Sequence, residues 1–432
     1  MSLTPIHTDI RSYLERNLHV YLDLLHQMVA INSFTLNPKG VNGLGKLTAD
    51  LFLPLSFMSE FYPSTDFRYG RHLVLTRVGR RGPDGPARAI GLISHLDTVY
   101  PAAEEEANDF HFRIEGDRIY GPGTVDIKGG TVMIYMVLDA LRQFYPEVFD
   151  GITWRILLNA AEEVLSPDFG ELSRRTLDDG TLAALVFEGG DAARKGDGEE
   201  GHYRLVTARK GMARYRVTVN GRGAHAGAYH RKGANAIVQL ADVIREIHDF
   251  TDYDRDLTFN VGTIMGGTVI NRVPHEAAAS LEMRAFDPVV FEGGVDRMLA
   301  LNDYCTVRSS EDGYPCTVRV DVEGRWAPWP PNDGTQELFD IWNAAAAELE
   351  MGAIGPQARG GLSDGNWLWD SLPTIDGLGP EGDNSHSSER SADGSKEQEY
   401  VRVSSFVPKA LLNVAAIVRL VEESGVRLMR GI

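Results

Sequence analysis

The feature that most constrains this chain is a change of rhythm in its middle. Residues 11–30 place Leu14, Leu18, Tyr21, Leu22, Leu25, Met28 and Val29 at helical spacing, which predicts an opening amphipathic helix. Short apolar runs at 73–78, 89–94, 154–159 and 182–187 then alternate with helical stretches, of which 131–144 is strongly apolar. Strand and helix in alternation predict an α/β sheet, largely parallel and covered on both faces. Beyond residue 208 the order becomes strand (213–219), helix (234–248), strands (257–264 and 277–285), helix (288–301) and strand (316–322). That βαββαβ order is the ferredoxin-like plan. The first rhythm resumes with a helix at 336–349, a strand at 373–376 and a helix at 408–422. The expectation is a main domain in two pieces, 1–207 and 326–432, interrupted by a compact domain at 208–325. The polar segment 387–398 reads as a mobile loop.

Composition narrows the partners. The chain has 432 residues, enough for two to three domains at ~150 residues each. Lys and Arg number 43 against 61 Asp and Glu, a net charge of −18. Nucleic acid and anionic membrane surfaces both call for a cationic footprint, so neither is expected as a partner. No run approaches the ~20 apolar residues of a membrane span, and residues 1–15 lack the basic-then-apolar plan of a signal peptide. The expected location is therefore cytoplasmic. Cys305 and Cys316 are the only cysteines; a disulfide framework and a thiolate zinc site are excluded, while one bridge between the two stays open.

The chemistry-bearing residues gather just after predicted strands, where open α/β sheets bind ligands. The first group is Ser94-His95-Leu96-Asp97-Thr98-Val99. His95 and Asp97, two apart on extended chain, project to one side and suit a ligand with a carboxylate that orients its ring. The second, Gly121-Pro122-Gly123-Thr124-Val125-Asp126-Ile127-Lys128-Gly129-Gly130, presents Asp126 at the start of the apolar helix. It lacks the third glycine of a dinucleotide fingerprint. The adjacent pair Glu162-Glu163 follows the strand at 154–159. Neighbouring side chains point apart, so one can bind metal while the other exchanges protons. Glu188 ends a further apolar strand, and His386 lies in the polar run Asp383-Asn384-Ser385-His386. Histidines and carboxylates without sulfur suit zinc, and also admit cobalt or manganese.

In this order the motifs resemble those of the M20 metallopeptidases, a family that includes glutamate carboxypeptidase, acetylornithine deacetylase, succinyl-diaminopimelate desuccinylase and aminoacylase. The likeness runs along nearly the whole chain, including Gly221-Arg222-Gly223-Ala224-His225-Ala226-Gly227 in the insert. It implies a two-zinc aminopeptidase-like catalytic domain with an inserted ferredoxin-like domain that serves as lid and dimerisation surface. His95, Asp126 and Glu188 would hold one zinc. Asp126, Glu163 and His386 would hold the other, with Asp126 shared. Asp97 would orient His95, and Glu162 would be the general base of a hydroxide attack on an amide. The peptide bond after Asp126 is often cis in such proteins. His225 would meet the oxyanion in the opposite subunit of a homodimer. Arg284 and Asn271 would grip a substrate carboxylate, and Gly360 and Gly361 would line the pocket.

The resemblance implies a carboxypeptidase-type hydrolase; an N-acyl-amino-acid deacylase shares every one of these residues. A metal-binding scaffold without turnover has no use for Glu162, and a two-metal phosphodiesterase would want more cations than Arg284. Two departures stand out. Val164-Leu165-Ser166 follows Glu163 where relatives often have glycine. The triplet Glu399-Tyr400-Val401 lies thirteen residues beyond His386 rather than close behind it. This leaves Glu389 as a candidate for an outer-shell role. The remaining histidines, His72 and His202 among them, read as surface or core residues, and Trp326 and Trp329 as packing where the insert rejoins the main domain.

Overall fold

The computed structural model describes residues 4–81, 85–192 and 203–425. The chain forms two compact units: Met1–Thr207, Pro331–Gln357 and Ser363–Ile432 make one, Ala208–Pro330 and Ala358–Leu362 the other.

The first unit is built on a six-stranded sheet in the order Met58–Pro63, Arg71–Arg77, Thr153–Asn159, Ala89–His95, Thr181–Val186, Thr374–Ile375. The last four strands are mutually parallel. The first two are antiparallel to each other, and Arg71–Arg77 runs antiparallel to Thr153–Asn159. Residues 64–70 are too short a link for a crossover, so those two strands can pair only as a hairpin. Every residue of Ala89–His95 is buried, as a central strand covered on both faces requires. Its side chains alternate: Ile90 and Leu92 enter the main core with the helices Pro5–Val29, Gly129–Phe144, Asp333–Glu348 and Val403–Glu423. Ile93 faces the other way, onto Phe169, Leu172, Leu368 and Leu372.

Val403–Glu423 is long and apolar enough to cross a membrane, but 72% of its most apolar window is buried inside this core. Gly129–Phe144 begins tightly against the sheet. A Cβ at Gly130 would fall 2.0 Å from the carbonyl oxygen of Phe187, and one at Gly129 would fall 2.3 Å from that of Thr124. The paired glycines therefore let the helix start where the strands end, and this docking carries the preceding Asp126 to the carboxyl end of the central strand Ala89–His95.

The second unit is an antiparallel sheet in the order Thr258–Gly266, Glu276–Ala285, Gly211–Asn220, Thr317–Trp326. The helices Ala236–Asp249 and Pro288–Leu299 join its strands in ferredoxin-like order. Tyr215, Val217, Leu240, Val243, Met283 and Phe291 form its core. Trp326 and Trp329 are buried at its exit. Cys305 and Cys316 are both free thiols. Met1, Ser2, Leu3 and His202 lie outside the described residues.

The segment 387–398 departs from the loose loop its polarity suggests. Its base is closed by the Glu399 N–H donating to the Ser387 carbonyl at 2.8 Å. Gln398 Nε2 donates to the carbonyls of Asn108 and Ser388 at 2.9 and 2.7 Å. Ser388 and Gln398 are buried, so the polar side chains here fasten the excursion rather than solvate it.

Gly130→Ala tests the helix docking. Overpacking against a backbone oxygen predicts a loss of about 1–3 kcal/mol in denaturant unfolding. An unchanged unfolding midpoint would show that the helix start has room to move.

Candidate metal centre

The parallel strands Ala89–His95 and Thr153–Asn159 pair His95 with Asn159 at their exits, so the segments that leave the two strands emerge at one level. His95 is buried. Its Nδ1 lies 3.0 Å from the carbonyl of Asp97, an acceptor only, which places the ring proton on Nδ1 and turns Nε2 toward the cluster. Nε2 is 2.9 Å from Asp126 Oδ1 and 3.8 Å from Glu188 Oε1. From the other side His386 Nε2 is 3.3 Å from Asp126 Oδ2 and 3.1 Å from Glu163 Oε2. The two rings thus meet the two oxygens of one carboxylate. Donor atoms of His95, Asp126 and Glu163 lie within 4.8 Å of one another.

Asp126 sits on irregular backbone. Gly123 takes a left-handed φ of 78°, and the Asp126–Ile127 peptide bond is cis. Asn384 and His386 also have positive φ, 62° and 66°, which swings the His386 ring inward from an exposed loop. Asp97 does more than orient His95. Its carboxylate is 3.6 Å from His95 Nδ1, while Oδ1 accepts the Glu162 N–H at 3.0 Å and Oδ2 the Glu163 N–H at 3.3 Å. Thr35 Oγ1 donates to Oδ2 at 2.8 Å. Asp97 therefore holds the Glu162-Glu163 turn as well as facing the ring.

Glu399 corrects the expectation for Glu389. Glu389 is exposed and pairs with Lys396. Glu399 is fully buried: Oε1 accepts the N–H groups of Val125 and Asp126 at 2.8 and 3.1 Å, and Oε2 accepts Tyr100 Oη–H at 2.7 Å. The closed base of the 387–398 excursion returns Glu399 beside His386, so the inserted residues do not displace it.

The other departure, at residues 164–166, has a backbone reason. Leu165 adopts φ 63°, ψ 76°, a left-handed conformation that favours glycine and strains a leucine. The turn closes through this residue, which bears the cost.

The electrostatics call for cations. Burial pushes the Glu163 carboxyl up, with Asp126 adding to it and His386 opposing, to about 7. Burial likewise drives Glu162 well up, against the pull of His95. Asp126, though buried, is held below the usual carboxylate range by His386 and His95. Hydrogen bonds to Asp126 and Glu163 raise His386 to about 11. Burial would lower His95, yet Asp126 and Asp97 hold it well above its ordinary value. A half-buried set in which carboxylates outnumber imidazoles, with oxygen and nitrogen donors converging, fits divalent metal ions.

The other predicted residues belong to the second unit. His225 Nδ1 accepts the N–H groups of Gly227 and Ala228, both at 3.1 Å, so its proton is on Nε2 and the exposed ring presents a donor. The carbonyl of Asn271 accepts the Ala226 N–H at 3.0 Å, which brings Asn271 alongside His225. The Arg284 fork is engaged by Glu282 through Nε and Nη2 at 2.9 and 3.2 Å, and Nη1 donates to the Gly360 carbonyl at 2.9 Å. The buried Arg209, which no motif signalled, donates to the carbonyls of Gly361 and Leu362 at 3.0 and 3.1 Å and so fixes that loop.

Residues 207–303 match the M20 peptidase dimerisation domain. Over 402 residues, covering 91% of this chain and 87% of the relative, the sequence is 28% identical to Carboxypeptidase G2 of Pseudomonas sp. (strain RS-16). The chain is thus similar to M20-type hydrolases, and over most of its length to a carboxypeptidase. A tripeptidase from Staphylococcus aureus shares the fold with a TM-score of 0.72 at 20% identity, covering 94% of this chain and 99% of that one. An M20 family metallo-carboxypeptidase from Sulfolobus solfataricus does so at 0.66 and 15%, covering 93% and 98%. The carboxylate–histidine cluster lies in one unit and the segment that matches the dimerisation domain in the other.

Loading this cluster with metal must expel protons, because His95 and His386 are held protonated near neutrality by the same carboxylates that would bind the ions. Titration calorimetry of zinc into metal-free protein at pH 7, in buffers of differing ionisation enthalpy, should report release of about two to three protons at saturation, since the Glu163 carboxyl adds to the two rings. Affinity should rise with pH over the same range. Binding without proton release would contradict the assignment of those rings.

Proposed function

We propose that this hydrolase binds two divalent cations, zinc foremost, and cleaves the amide bond to a carboxylate-bearing C-terminal amino acid. The observation that carries the reading is the single carboxylate of Asp126 facing His95 with one oxygen and His386 with the other. His95, Asp126 and Glu188 would hold one ion, and Asp126, Glu163 and His386 the second. When bound, two such cations polarise an amide carbonyl and acidify a water. Glu162 would take a proton from the attacking water and return it to the leaving amine. Its buried carboxyl, raised well above the ordinary value, suits a group that must both accept and donate.

The second unit supplies recognition in this reading. His225 offers Nε2–H to the developing oxyanion, from the partner subunit of a homodimer. The edge strand Thr258–Gly266 supports such a dimer, since Ile264 and Met265 are 61% and 58% exposed on it and the dimerisation-domain match covers it. Arg284 exchanges Glu282 for the substrate carboxylate, a like-for-like swap of planar anions. Asn271 and the Gly360-Gly361 loop, in the same unit as Arg284, would contact the same substrate carboxylate. The carboxypeptidase reading, rather than a deacylase one, is supported by the long alignment with Carboxypeptidase G2.

The test is a panel of dipeptides and N-acyl amino acids offered to zinc-loaded protein. Release of free C-terminal amino acid from peptides is expected, and preference for acetylated amino acids would move the assignment to a deacylase. Glu162→Gln should retain both ions and lose about 10²–10⁴-fold in kcat. Full activity in that variant would remove Glu162 from its role.

A further inference from the structure

We propose that His72, backed by Asp168, is a positioning residue that holds the Glu162-Glu163 turn in place. The functional consequence rests on the reading of those glutamates as base and ligand; the geometry does not. After the strand Thr153–Asn159 the chain turns sharply, and the N–H groups of residues 160–163 all leave the sheet ladder. Each is accepted by a side chain. Asp97 takes Glu162 and Glu163. Asn159 Oδ1 takes Ala161 at 2.9 Å, and also the Ser166 hydroxyl at 2.8 Å, so it ties both ends of the turn. Its own Nδ2 donates to Asp364 at 2.9 Å. The remaining amide, Ala160, donates to His72 Nδ1 at 3.2 Å.

His72 comes from the antiparallel neighbour strand Arg71–Arg77. It lies one residue before the Leu73–Leu158 pair and so level with the strand exit. The residue is 1% exposed. To accept from Ala160, Nδ1 must be unprotonated, which puts the proton on Nε2. Nε2 lies 3.3 Å from Asp168 Oδ2, out of line for a hydrogen bond, so the carboxylate favours the proton on that nitrogen by its charge. Asp168 is itself held by Ser64 Oγ and the Thr65 N–H at 2.8 and 2.7 Å. The carboxylate sets the tautomer, the tautomer makes Nδ1 an acceptor, and the acceptor satisfies a buried amide two residues before Glu162. A buried apolar side chain at 72 would pack as well but leave that amide without a partner.

Hydrogen exchange on metal-free protein tests this without reference to any reaction. In His72→Phe, exchange in the segment 158–166 should quicken about tenfold, the worth of one hydrogen bond, while the second unit is unchanged. His72→Asn places an acceptor oxygen near the Nδ1 position and should restore slow exchange. Asp168→Asn, which can turn an amide donor toward Nε2 and favour the wrong tautomer, should quicken the same segment. It serves as the test if His72→Phe does not fold. With hydrolysable substrate, His72→Phe should lower kcat with KM nearly unchanged, and His72→Asn should recover most of it. Exchange at 158–166 identical to the parent in His72→Phe or Asp168→Asn would overturn the proposal. Should no amide be hydrolysed at all, the proposed function falls while the exchange result still decides this one.

Discussion

One carboxylate organises this molecule. Asp126 offers one oxygen to His95, which ends a central strand, and the other to His386, which arrives from a loop 260 residues later in the chain. Both rings are charged up by that contact, and Asp126 is held ionised in return. Several features of the first unit exist to deliver this group. Gly129 and Gly130 let the apolar helix begin against the sheet, Gly123 turns the chain sharply, and Glu399 takes the backbone N–H groups of Val125 and Asp126 from behind. An ionised group this deep is costly alone; the surrounding imidazoles, and the cations they are arranged to bind, offset that cost.

The adjacent Glu162-Glu163 turn obeys a different logic. It has no regular hydrogen-bond ladder, so side chains substitute for one, and Leu165 accepts a left-handed backbone to close it. Strain of this kind persists only where the neighbourhood over-determines the conformation. Here the neighbourhood is Asp97, Asn159 and His72, residues drawn from three strands that lie side by side in the sheet or from their ends.

The fold is legible in the sequence because its elements are strongly periodic. The βαββαβ insert, the buried strands and the apolar helices are all visible as spacing. The edge strand Met58–Pro63 is not, since it is largely exposed and carries no alternation; without it the antiparallel side of the sheet has no local signature. Of the site, the ligand-type residues stand out by chemical type and by their place after strands. Arg209 and His72 do not. Each acts by meeting backbone groups brought near by the fold, and a side chain that satisfies a distant amide or carbonyl leaves no local pattern. The 387–398 excursion misleads for the same reason: its polar composition is that of a solvated loop, but its side chains are spent on internal hydrogen bonds, and its closed base keeps Glu399 next to His386.

The central claim is that the shared carboxylate bridges a pair of ions. Anomalous diffraction at the zinc absorption edge, on crystals of the loaded protein, gives the answer directly. Two peaks flanking the Asp126 carboxylate are expected, one beside His95 and Glu188 and the other beside Glu163 and His386. A single peak, or peaks that leave Asp126 outside their coordination, would contradict it.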